Sequence, residues 1–146
     1  MKMQFLFMLV IAFGLSVALA QTPETVILRF KTDYPAASTV EWKVDADRYK
    51  VTFTDQHNLH HMLIYDKDGK VYGRESELAE ASVPASINEY FIKNFPNEKG
   101  ARVWLTENEA GIKSYYTPID DAVLFFDKDG KFVRRDARTP HVMQPN

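Results

Sequence analysis

Tyr65-Asp66-Lys67-Asp68-Gly69-Lys70-Val71 returns as Phe126-Asp127-Lys128-Asp129-Gly130-Lys131-Phe132, 61 positions further along a chain of 146 residues. Phe30-Lys31-Thr32-Asp33-Tyr34-Pro35 returns as Phe91-Ile92-Lys93-Asn94-Phe95-Pro96 at the same offset. Two blocks sharing one offset mark a duplicated unit, and the duplication decides the architecture before any single element does. Aspartates that bond their own backbone, followed by a glycine free to take positive φ, make each Asp-x-Asp-Gly stretch a hairpin turn. An aromatic residue followed by proline, closing an apolar stripe, makes each of the other blocks the end of a helix.

Upstream of those helix ends the stripes are clear. Ile27, Phe30 and Tyr34 recur at helical spacing, with Thr22 as a candidate cap and Pro23 at the first helical position. In the second copy Ser82 or Val83 precedes Pro84, and Ile87, Phe91 and Phe95 form the stripe with Tyr90 beside it. Downstream the period falls to two. Val40, Trp42 and Val44 alternate with Glu41, Lys43 and Asp45, and Tyr49, Val51 and Phe53 alternate with Lys50, Thr52 and Thr54. That is the pattern of strands covered on one face and wet on the other. Further strands are expected over 59–65 and 71–77, then over 102–106, 112–117, 122–126 and 131–137 in the second copy.

The expected fold class is therefore α+β: a tandem repeat of one helix plus a four-strand antiparallel meander, with the helices on one face of the sheet. The repeats are expected at 22–78 and 82–138, followed by a flexible tail over 139–146. Trp42 pairs most naturally with Trp104 at an offset of 62, which predicts loops differing by about one residue and both indoles in the core beneath the helices. The offset of 61 instead turns Trp104 outward.

Residues 1–20, MKMQFLFMLVIAFGLSVALA, set Lys2 before an uncharged apolar run that ends in Ala18-Leu19-Ala20. This is the order of a signal peptide, with cleavage expected before Gln21 and a periplasmic or secreted location. No second apolar run follows, so no membrane span is expected after cleavage. Lys2 is the one charge in that segment, leaving 17 basic against 20 acidic side chains in the rest, which gives no electrostatic footprint for nucleic acid. There is no cysteine, so the exported chain holds together by packing alone.

The signal peptide, the doubled aromatic-Pro helix end, Trp42 on the first strand and the doubled aromatic-Asp-x-Asp-Gly-Lys hairpin together resemble the PepSY-like family, grouped with β-lactamase-inhibitor-like (BLIP-like) proteins. The resemblance spans 22–138. It implies a small exported, non-enzymatic protein of two helix-plus-sheet repeats, in a family whose better known relatives bind and restrain extracytoplasmic enzymes. The chain departs from the β-lactamase inhibitor itself, whose repeats carry disulfides.

Candidate sites are few. The Asp66-Lys67-Asp68-Gly69 and Asp127-Lys128-Asp129-Gly130 loops offer clustered oxygens, but Lys70 and Lys131 follow each glycine where a calcium loop needs an acid, so the aspartates read as turn formers. His57, His60 and His61 form the one histidine cluster; on a strand His57 and His61 share a face and His60 points away, so surface histidines at a hairpin end are expected and no metal or other cofactor. His141 lies in the tail. There is no thiol nucleophile, no Gly-x-Ser-x-Gly elbow and no phosphate-cradling glycine loop, and Asp120-Asp121 and Glu75, Glu77 and Glu80 read as solvated surface, so no catalytic residues are expected. What remains is a binding face on the strand side turned away from the helices: Lys43, Lys50, Thr52, Thr54, Tyr72 and Arg74 in the first copy, Trp104, Tyr115 and Arg135 in the second. The loop over 55–58, with Asp55 and His57, is the protrusion such a module would insert. The expected partner is another exported protein; the alternative is a periplasmic sensor that takes up a metal or small ligand.

Overall fold

The computed structural model describes residues 21–138. The signal peptide expected over 1–20, the tail over 139–146 and His141 lie outside the described residues. Two compact units divide within one strand, the first reaching Arg74 and the second beginning at Glu75.

The first unit opens with α1 (Glu24–Asp33), followed by β1 (Ser38–Asp45), β2 (Arg48–Thr54), β3 (His60–Tyr65) and β4 (Val71–Glu77). The second continues from the end of β4 through a 3-10 turn (Glu80–Ser82) to α2 (Ala85–Asn94), β5 (Trp104–Asn108), β6 (Lys113–Pro118), β7 (Ala122–Phe126) and β8 (Phe132–Ala137). The strand order follows the chain from β1 to β8. This is an α+β fold of eight antiparallel strands and two helices.

The two helices begin and end at an offset of exactly one repeat, and the same chemistry bounds both. Pro23 and Pro84 occupy the N-cap positions without side-chain capping bonds. Their carbonyls instead accept the first free amides, from Val26 and Ile27 in α1 and from Ile87 and Asn88 in α2. Thr22 is therefore not the cap; it is 94% buried in front of the helix. At the other end the amides of Tyr34 and Phe95 reach back to Phe30 and Phe91, and the next residue is a proline that cannot continue the ladder.

Each helix covers one side of its own strands. In the first unit Val26 and Phe30 meet Val51, Phe53, Leu63 and Tyr65, with Trp42, Val40 and Tyr49 packed around them. In the second, Ile87 meets Val103, Leu124 and Phe126, with Phe91, Phe95 and Tyr115 around them. The ladders identify equivalent positions. Val51 stands opposite Leu63, and Thr117 stands opposite Leu124. Leu63 and Leu124 are 61 apart, yet Val51 and Thr117 are 66 apart. Trp42 stands opposite Val51, and Val103, one residue before the Trp104–Tyr116 pair, takes the matching place. The counterpart of Trp42 is thus Val103 at an offset of 61, and Trp104 faces the other side of the sheet, stacked on Tyr116 at 6.0 Å with the rings 6° from parallel. Two expectations are corrected together. Trp104 is not a core residue, and the loops differ by five residues that have changed places: the first unit turns tightly between β1 and β2 and carries its long loop at 55–59, whereas the second carries its long loop between β5 and β6 and turns tightly before β7.

All four long hairpin loops share one construction. Asp55, Asp66, Asn108 and Asp127 each accept two backbone amides on Oδ1, from the residues two and four further on. The fourth residue of each loop has positive φ: Asn58, Gly69, Gly111 and Gly130. The Asp-Lys-Asp-Gly loops also seat the helices, since Thr25 Oγ1 donates to the Lys67 carbonyl at 3.4 Å and Ser86 Oγ to the Asp129 carbonyl at 3.0 Å.

Candidate functional site

The side of the second unit that α2 does not cover carries a row running across four strands. Trp104 on β5 pairs with Tyr116 on β6, Tyr116 with Phe125 on β7, and Phe125 with Arg134 on β8. Alternation explains why these side chains share a side: their chain neighbours Val103, Thr117, Leu124 and Phe126 are spent on the core. Tyr116 lies 6.3 Å from Phe125, and the Arg134 guanidinium sits 4.0 Å over the Phe125 ring, a cation–π contact that holds a flexible cation flat on the sheet. Arg134 is further tethered to Asp136 at 3.0 Å. At the other end the Tyr116 hydroxyl donates to Glu75 Oε2 at 3.0 Å. Burial and the adjacent Glu75 carboxylate together push the Tyr116 phenol well above its ordinary range, so it stays a donor.

Two residues expected on this side belong to the other. Tyr115 stands opposite Phe126 and packs against the α2 core. Arg135 stands opposite the fully buried Leu124 and reaches back to Asp121 at 2.6 Å. Their immediate neighbours Tyr116 and Arg134 take the places expected of them. Sequence reading missed Phe125 as well, although its position between Leu124 and Phe126 in a strand of period two is a sufficient signal.

In the first unit the uncovered side is of different chemistry. Lys43 stands opposite Lys50, and Lys50 opposite Ile64. Val71 packs in the core, so alternation puts Tyr72 and Arg74 on the uncovered side; Tyr72 is 42% exposed with the Arg48 guanidinium 4.1 Å over its ring. Thr52 and Thr54 lie on this side too, Thr54 bonded to Ser38 across β1.

The loop over 55–59 is anchored by Asp55. Its Oδ1 accepts the His57 and Leu59 amides at 2.8 and 3.0 Å, and its Oδ2 lies 3.0 Å from His61 Nε2. Burial, the largest single influence, acts upward, but the His61 contact and the two amides together outweigh it and hold the Asp55 carboxyl below its usual value of 3.8. His61 stacks on Phe53 at 5.1 Å, His60 alternates to the other side, and His57 sits exposed beside Gln56. The three rings do not converge, and among the described residues no group of three or more His, Asp or Glu side chains could hold a metal ion. Three of the acids considered for chemistry have partners of their own: Glu77 lies 3.4 Å from Arg102, and Glu75 and Asp121 hold Tyr116 and Arg135 as above.

Comparison with known proteins places this geometry. The family model described as β-lactamase-inhibitor-like, PepSY-like matches the chain twice, over residues 10–72 and 66–134. No curated protein matches. Among solved structures, a protein of Bacteroides eggerthii described as periplasmic superposes with a TM-score of 0.66 at 15% identity, covering 80% of this chain and 88% of its own. A DUF2874 family protein of Bacteroides ovatus gives 0.62 at 16%, covering 84% and 94%. A BLIP-like protein of Bacteroides fragilis gives 0.58 at 17%, covering 84% and 93%. At such identities the likeness is one of fold, and no helix among the described residues is long and apolar enough to cross a membrane. With both halves matched separately by the same family model, this chain belongs to the PepSY-like, β-lactamase-inhibitor-like family.

Proposed function

We propose that the chain is an exported, non-enzymatic protein-binding module that docks another protein of the periplasm through the uncovered side of its second unit. The observation that carries this reading is the row Trp104, Tyr116, Phe125 and Arg134, held flat by ring stacking and by the cation–π contact. Tryptophan, tyrosine and arginine dominate protein interfaces because they bring large area with few rotatable bonds. A fitting partner surface presents an apolar side chain to the Trp104 and Phe125 rings and a carboxylate to Arg134. Tyr72 and Arg74 form the corresponding surface of the first unit, and the loop carrying Asp55 and His57 is a second contact. In this reading each repeat is a helix plus a four-strand meander, with helices to one side and binding to the other. The signal-peptide order of residues 1–20 and the relatives described as periplasmic support the location; the family's inhibitor-like description supports a partner that is an extracytoplasmic enzyme, held rather than processed.

The test is capture from envelope extract by the tagged exported chain, set against a Trp104→Ala/Arg134→Ala variant. A partner retained by the parent and lost by the variant is the expected result. A partner retained equally by both overturns the assignment of the face.

A further inference from the structure

The strand order ends at β1, and between β1 and α1 lies an open cleft of about 680 Å3 lined by Ile27, Phe30, Lys31, Tyr34, Val40 and Trp42. The second unit shows what that place is built to receive. There the edge of β5 turned away from β6 is met by the chain that continues β4: the Leu78 amide donates to the Val103 carbonyl at 2.9 Å, and Leu78 packs against the core beneath α2. The space left is about 280 Å3. Val103 is the counterpart of Trp42, so the first unit has the same edge and the same apolar gap, with no strand laid along it among the described residues.

We propose that a second copy of this chain lies along β1, the two β1 strands pairing antiparallel about Trp42. The sequence of the strand is self-complementary for this arrangement. Val40-Glu41-Trp42-Lys43-Val44, read against its own reverse, sets Glu41 opposite Lys43 twice, Val40 opposite Val44 twice and Trp42 opposite Trp42. Centring on Glu41 or on Lys43 would instead put two like charges face to face. The backbone agrees with that centre. Asp45 and Arg48 close the two-residue turn into β2, so alternation along the ladder directs the amides and carbonyls of Val44 and Trp42 outward, as the Val103 carbonyl is directed toward Leu78. Val40, Trp42 and Val44 face the helix side, so the partner's copies fill the apolar cleft in the way Leu78 fills its equivalent, and an otherwise open edge of the sheet is closed. This pairing is independent of the partner-binding face of the second unit.

The test is sedimentation equilibrium of the full exported chain across about 1 µM to about 1 mM, for the parent, for Glu41→Lys, for Lys43→Glu and for the double exchange. Both substituted positions are exposed and off the core, and far-UV circular dichroism establishes that each variant is folded. The parent is expected to dimerise. Each single exchange turns two attractive pairs into two repulsive ones and is expected to weaken dimerisation about tenfold, while the double exchange restores it to within about threefold. A parent that stays monomeric over the whole range overturns the proposal, and so does a dimer indifferent to the single exchanges; association only with an unrelated extended peptide would show that the edge serves a different occupant.

Discussion

Lys43, Lys50 and Ile64 of the first unit occupy the ladder positions that Trp104, Tyr116 and Phe125 occupy in the second. On the helix-covered side the same comparison gives Val26 against Ile87, Phe30 against Phe91, Leu63 against Leu124 and Tyr65 against Phe126, apolar or aromatic at each of these pairs, with Val51 against Thr117 the polar exception. The side that packs has stayed one thing in both halves, and the side that does not pack has become two. Close packing restricts volume and polarity to within about a methylene, whereas an uncovered strand face is limited mainly by solubility. Divergence confined to the uncovered face is what a duplicated scaffold shows when one half has acquired a task.

The largest expected contrast lies between the two tryptophans. Trp42 packs against the first core and meets the Phe30 ring edge-on at 5.5 Å, so Trp42→Ala is expected to lower stability by about 3 kcal/mol in urea melts. Trp104→Ala removes a face residue and is expected to cost about 1 kcal/mol or less. Equal losses would mean that the two indoles are equivalent after all. The glycine turns give a smaller contrast. Gly69 and Gly130 both have positive φ, but a Cβ at Gly69 would find ordinary contact with Arg29, while at Gly130 it would run into Ser86 Oγ where α2 is seated. Valine at either position strains the backbone; Gly130→Val is expected to cost about 1 kcal/mol more than Gly69→Val in thermal melts, because steric overlap is added to the same dihedral strain.

Much of this was legible in the sequence, and the failures share one cause. The repeat, both helix ends and all eight strands can be read from offset and periodicity because those signals extend over many residues. Tyr115-Tyr116 and Arg134-Arg135 are different: each is a pair of like residues on adjacent strand positions, and a period of two assigns opposite faces without saying which member takes which. The strand's parity relative to the core decides, and that parity was hidden by the exchange of loop lengths between the halves. The exchange itself was hidden because the loops at 55–59 and 108–112 are built alike, an Asx side chain at the start and a positive-φ residue fourth, so neither looks out of place. Residue type makes Thr22 a candidate cap, but the first-turn amides of Val26 and Ile27 go to the Pro23 carbonyl instead.

Each half also retains, among the described residues, one unpartnered buried hydroxyl where its twin has none. Thr117 Oγ1 and Tyr65 Oη find no hydrogen-bond partner among the described residues, and their counterparts are Val51 and Phe126. Burial also pushes the Tyr65 phenol above its ordinary range. Thr117→Val and Tyr65→Phe are each expected to raise stability by about 1 kcal/mol, since an unpaired buried hydroxyl is replaced by its apolar isostere; a loss in either melt would show that the hydroxyl is in fact satisfied. The smallest effect is in acid. The Lys70 and Lys131 amides, and then the Asp68 and Asp129 amides, hold the Asp66 and Asp127 carboxyls below 3.8. Carboxyls depressed in the folded state add stability that is present above their unfolded value and is lost as pH falls through the folded one. Stability is therefore expected to hold from neutral pH down to about 4 and to fall below it, with the fall shallower in Asp66→Asn and Asp127→Asn; a decline beginning near pH 6 would point to a different group.

The comparison between the two uncovered faces can be put to the captured partner directly, by isothermal titration against the parent chain, Trp104→Ala and Lys50→Ala. Affinity is expected to fall about tenfold or more for Trp104→Ala and to stay within about twofold for Lys50→Ala. The reverse order, with Lys50→Ala the damaging change, would place binding on the first unit and contradict the division of labour between the halves.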